Sequence, residues 1–183
     1  MKILGIDPGT VTSGFGVVEV VGHEIRYVDC GGICTPSGMD FPKRLKLIYE
    51  GLTGVIERHR PDAVAVESVF FAKNVQSALK LGHARGVALL AVINAGLPVS
   101  EYSPTEIKQA VVGFGLADKE QVLRMVMALL SLREAPRPLD ASDALAIAIC
   151  HIHSAKMKKT MSRVEAAAGK PVVVKDIRNR QKI

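Results

Sequence analysis

Ile3-Leu4-Gly5-Ile6-Asp7-Pro8-Gly9-Thr10 constrains this chain more than any other stretch. An apolar strand begins almost at the first residue and ends on a carboxylate. Pro8-Gly9 then forces a tight turn, because proline presets φ and glycine tolerates the reversal. Ser13–Val18 follows as a second strand, so the pair reads as a hairpin with Asp7 held at the mouth of a sheet. Asp before Pro-Gly is also ordinary turn chemistry. The other acids have to decide between a turn and a site.

Further along, Gly14–Val21 and Ile25–Ile33 read as strands two and three, joined by a turn at 22–24. Helical spacing of Leu45, Ile48, Leu52, Val55 and Ile56 predicts a helix over 42–59, stopped at Arg60-Pro61-Asp62. Ala63–Val66 is a short buried strand, and it too ends on an acid, Glu67. A loop over 68–73 carries Phe70 and Phe71, one expected to face outward and one inward. A long helix over 74–94 holds Gly82 and Gly86 four apart, spacing that lets another element approach closely. Val99–Tyr102 is a fifth strand. Ser103-Pro104-Thr105-Glu106 is a capping box with proline at the first helical position. Helices are predicted from there, over 118–131 and over 140–154, with little fixed structure beyond Met161. The expected fold is α/β: a mixed five-stranded sheet with helices on both faces.

Composition bounds the class. The 183 residues suit one domain with a core, expected over 1–157. The three cysteines, Cys30, Cys34 and Cys150, lack paired spacing, which suits free thiols in a reducing compartment. The N-terminus reads as a strand and no apolar run reaches membrane-span length, so a cytoplasmic protein without a membrane is expected. Charge is uneven. Residues 154–183 carry nine Lys/Arg against two Asp/Glu, while the rest is close to neutral. The segment 158–183 is therefore expected to be a basic, disordered tail, able to add non-specific attraction to nucleic acid.

Asp140 and Asp143, three apart at a helix start, share one face. Asp140 also suits an N-cap, with Asp143 as a first-turn acid. If Asp7, Glu67, Asp140 and Asp143 meet in one crevice, they repel one another and raise at least one pKa unless cations intervene. Hard oxygen ligands of this kind suit Mg²⁺ or Mn²⁺. Two such ions can clamp the attacking and leaving oxygens of an in-line phosphoryl displacement.

Asp7-Pro8-Gly9, Val66–Phe70, Ala78–Gly86, Lys108–Gly113 and Asp140–Ala146, in that order, resemble the successive motifs of bacterial RuvC Holliday-junction resolvases, over about residues 1–155. The resemblance implies an RNase H-like fold. It implies a homodimeric endonuclease that nicks two opposed strands of four-way junction DNA, in recombination and repair, leaving 5′-phosphate and 3′-hydroxyl ends. It further implies Asp7, Glu67, Asp140 and Asp143 as ligands of two Mg²⁺ ions, with Mn²⁺ a plausible substitute. Lys108 and Lys119 match lysines near the scissile phosphate, and a lysine can hold a phosphate as a point charge. Phe70 matches an aromatic that stacks at the opened junction. Lys73, Lys80 and Arg85 are further candidate phosphate contacts. RuvA and RuvB branch-migration proteins are implied partners. His83 is expected at the surface or a dimer interface, and His151 and His153 at a solvated helix end. The long helix with Gly82 and Gly86 is the candidate dimer contact.

Two rivals stand beside this reading. Actin-like and sugar-kinase ATP-binding proteins also open with an Asp-x-Gly-Thr hairpin, but they need a second lobe. A non-catalytic junction-binding module would be poorly served by four acids, which oppose phosphate.

Overall fold

The computed structural model describes residues 1–68 and 74–167, with side chains as far as Met157 except Lys156. The expectations for Phe70, Phe71 and Lys73 fall on residues outside this set.

Strands β1 (Lys2–Asp7), β2 (Thr12–Val21), β3 (Glu24–Cys34), β4 (Ala63–Glu67) and β5 (Val99–Tyr102) form one sheet in the order β3-β2-β1-β4-β5. The first three strands pair antiparallel, as the short connections require; β1–β4 and β4–β5 pair parallel through helical crossovers. Helices α1 (Phe41–His59) and α2 (Val75–Asn94) cover one face. Helices α3 (Pro104–Val112), α4 (Lys119–Leu129) and α5 (Leu139–Ala167) cover the other.

Strand β1 shows why two layers form. Its side chains alternate across the sheet, so Ile3 enters the core beneath α5 while Leu4 and Ile6 enter the core beneath α1 and α2. All three are fully buried. The five-stranded mixed sheet with helices on both faces is thus as the sequence predicts.

Local capping follows the sequence closely. The Ser103–Glu106 box is formed reciprocally at α3, and Asp118 with Gln121 forms another at α4. Three readings need correction. First, α5 begins at Leu139, which places Asp140 inside the first turn rather than at the N-cap. Second, α5 runs on to Ala167, well past Ser154, because no Gly or Pro interrupts it before Gly169. Third, His151 and His153 do not sit on a solvated end. Both are half-buried: His153 Nδ1 donates to the Ala110 carbonyl at 2.8 Å, and His151 Nδ1 stands 3.0 Å from the Tyr102 hydroxyl.

Close approach inside the chain occurs at other glycines than Gly82 and Gly86, whose Cβ directions meet open space. A Cβ on Gly5 would lie 2.0 Å from the Ala144 carbonyl oxygen, and one on Gly14 2.1 Å from that of Asp140. These two positions let α5 rest directly on the sheet.

Candidate active site

Strand pairing brings the first two acids together. Ile6 pairs with Val66 in the parallel β1–β4 ladder, so Asp7 and Glu67 leave the same sheet end side by side. The turn after Asp7 is locked by Ser13, which is fully buried. Its hydroxyl donates to the Gly9 carbonyl at 2.8 Å and accepts from the Gly9 N–H at 3.2 Å. This makes Asp7 a rigidly mounted carboxylate.

The other two acids arrive on α5, which crosses the sheet with its N-terminal end above this point. Asp140 packs on Gly14, the residue paired with Asp7 across the hairpin. Asp143, one turn on, lines a solvent-open pocket of about 290 Å³ together with Asp7, Glu67, Lys108 and Lys119. Asp140 lies outside that lining but within the electrostatic reach of Asp7.

The field in this pocket is strongly negative. Burial, then the charges of Glu67, Asp143 and Asp140, push the Asp7 carboxyl up to about 8, against a partial offset from Lys119. Glu67 is raised as well, by burial first and by Asp143 next, while a hydrogen bond with Asp7 opposes the rise. The ammonium of Lys119 sits 2.9 Å from Asp143 Oδ2, and that contact raises the lysine pKa. Lys119 is largely exposed, so the pair stands at the solvent side of the pocket. Among the described residues, no three His, Cys, Asp or Glu side chains already form a closed metal cluster. The donor set nevertheless fits a hard divalent cation: oxygen ligands only, held on strand and helix ends, with excess negative charge that a cation would relieve.

The remaining candidates separate. Lys108, half-buried on α3, lines the pocket. Lys80 is exposed on α2 and is not part of the lining. Arg85, half-buried on α2, lies outside the lining, pairs with Glu101 and donates to the Glu67 carbonyl. Sequence reasoning missed Ser13 and Gly14, which mount Asp7 and seat Asp140.

A mixed sheet of this order, with acids closing its two central strands and opening the helix across them, defines an RNase H-like protein of the junction-resolvase class. Within that class the chain belongs to the family described as crossover junction endodeoxyribonuclease RuvC, whose family model matches residues 3–151. The RuvC of Pelobacter propionicus is 56% identical over 160 residues, covering 87% of this chain and 90% of that one. The RuvC of Chloroflexus aggregans is 58% identical over 155 residues, covering 85% and 94%. Among solved structures, Thermus thermophilus RuvC in complex with a Holliday junction substrate superposes with a TM-score of 0.81 at 42% identity, covering 86% of this chain and 96% of that one.

Proposed function

We propose that this protein is a metal-dependent endonuclease that resolves four-way DNA junctions by paired, symmetric nicks, in homologous recombination and repair. The observation that carries the reading is the meeting of Asp7, Glu67 and Asp143 with two lysines in one open pocket, with Asp140 one turn away.

Asp7, Glu67, Asp140 and Asp143 would hold a pair of divalent cations, Mg²⁺ by preference and Mn²⁺ as a substitute. When bound, these ions supply a nucleophilic water and stabilise the charge on the departing oxygen. Lys108 and Lys119 hold and orient the scissile phosphate, adding positive charge where negative charge builds up on the phosphoryl oxygens. Ser13 keeps Asp7 from yielding as the charge in the pocket changes. Hydrolysis forms a bond from water oxygen to phosphorus and breaks the bond from phosphorus to O3′. The O3′ takes up a proton, leaving a 3′-hydroxyl and a 5′-phosphate.

A junction of approximate two-fold symmetry asks for two such sites facing opposed strands, hence a homodimer. Helix α2 supports this assembly. It carries a shallow apolar groove lined by Ala78, Leu79, Gly82, Gly86 and Leu90, in which Leu79 and Leu90 are more than half exposed. Branch-migration proteins of the RuvA and RuvB type are proposed partners, by family.

The test is direct. Purified protein is incubated with a synthetic mobile four-way junction, with and without Mg²⁺, and the nicks are mapped. Symmetric nicks only in Mg²⁺ are expected. Asp143→Asn should bind the junction and lose cutting by at least about a hundredfold, as removal of a metal ligand would. Cutting by this variant at the wild-type rate would refute the assignment.

A further inference from the structure

Glu67 is the last residue of β4 and stands one position past the final β1–β4 pair, Ile6 with Val66. On its other side it pairs with Tyr102 of β5, where the Ser68 N–H just beyond donates to the Tyr102 carbonyl at 2.8 Å. Arg85, about three turns into α2, reaches the end of β4: Nε donates to the Glu67 carbonyl oxygen at 3.3 Å. The same guanidinium pairs through Nη2 with the carboxylate of Glu101 on β5. Its side chain is only 24% exposed.

One planar fork thus ties three elements together, and it does so at the backbone of the residue whose carboxylate enters the pocket. A guanidinium can serve two acceptors at once in a fixed geometry; a lysine ammonium is a single point charge on a flexible stem. The Glu101 carboxylate holds one arm of the fork, which keeps Nε aimed at the Glu67 carbonyl.

We infer that Arg85 is a positioning residue for Glu67: by fixing the end of β4 it sets how well the acid pocket takes a divalent cation. The inference rests on the reading of Glu67 as a metal ligand given above. Groups one bond removed from a ligand commonly govern its orientation, and their loss costs about 10–100-fold in metal affinity or activity.

The test uses the full chain without DNA. Mn²⁺ is titrated by calorimetry into wild type, Arg85→Leu and Glu101→Gln. Junction affinity is measured separately in EDTA, and thermal unfolding alongside. Arg85→Leu should raise the Mn²⁺ concentration for half-saturation about tenfold, with junction affinity unchanged. Glu101→Gln should shift the Mn²⁺ titration in the same direction by less, because the fork loses only one anchor. Arg85→Lys should not rescue, since it cannot serve both acceptors.

Weaker junction binding with an unaltered Mn²⁺ titration would make Arg85 a phosphate contact and overturn the inference. A lower melting temperature with an unaltered Mn²⁺ titration would make it a structural tie only, with the same consequence. If Arg85→Leu does not fold, an unshifted titration of Glu101→Gln overturns it. Wild-type protein that binds Mn²⁺ but leaves junctions intact would instead sink the nuclease reading, while the Mn²⁺ comparison would still score Arg85.

Discussion

Asp7 holds the costliest charge in the pocket, and the cost has a measurable sign. An ordinary aspartate titrates near about 4, whereas Asp7 in the metal-free fold is pushed up to about 8. Between those values the folded protein keeps a proton that the unfolded chain releases. Raising pH across this window therefore favours unfolding. Metal-free protein should lose melting temperature from pH 5 to pH 8, and Asp7→Asn should flatten that decline while abolishing cutting. A divalent cation competes with the same proton, so added Mg²⁺ should raise the wild-type melting temperature more at pH 8 than at pH 5. An Asp7→Asn variant that melts like wild type at pH 8 would show that the site tolerates the charge. The four acids were legible in the sequence because each ends a strand or opens a helix, positions set by local pattern. Ser13 and Arg85 were not legible. Their partners, Gly9 across a turn and Glu67 across a crossover, become neighbours only when the chain folds. His151 and His153 misled for the same reason: a pair two apart on a helix looks solvated until α3 and β5 close over it.

At the level of elements, the site depends on how low α5 lies on the sheet. Gly5 and Gly14 leave no room for a side chain beneath the backbone at Ala144 and Asp140. A methyl at Gly5 meets a carbonyl oxygen, which cannot rotate away as a side chain would. Gly5→Ala should therefore destabilise by about 1–3 kcal/mol or more, read as a large drop in melting temperature. Gly14→Ala should displace Asp140, giving a cutting defect beyond what its loss of stability explains. Wild-type melting and cutting for both would mean that α5 shifts freely over the sheet. The strand glycines themselves were visible in the sequence, but their meaning was not, since a glycine in a strand announces a close approach without naming what approaches. The Gly82 and Gly86 pair, more conspicuous in the sequence, faces open space within the chain. The apolar side of α5 ends near Ser154, and beyond it only the lack of a helix breaker before Gly169 signals the extension to Ala167.

For the whole molecule, a single chain presents one acid pocket, and two opposed strands need two. The apolar groove on α2 offers the surface through which two copies would join. Leu79 is 60% exposed and Leu90 52%, and the glycines between them leave the backbone open to a partner. His83, exposed beside them, packs edge-on against Phe41 at 5.8 Å and rims the same face. The groove lies on the face of the sheet opposite α5, so pairing there would leave both acid pockets open to DNA. A glutamate at Leu79 would place a charge in the groove proposed to join two copies. Truncating or charging a central interface residue costs about 2 kcal/mol or more, close to thirtyfold in affinity. Leu79→Glu should accordingly sediment as a monomer at concentrations where wild type is a dimer, with little change in monomer stability because Leu79 is already solvated. On a junction, that variant should yield single, unpaired nicks in place of two made together. A Leu79→Glu protein that remains dimeric and cuts in pairs would move the assembly to a different face and leave the α2 groove without a partner.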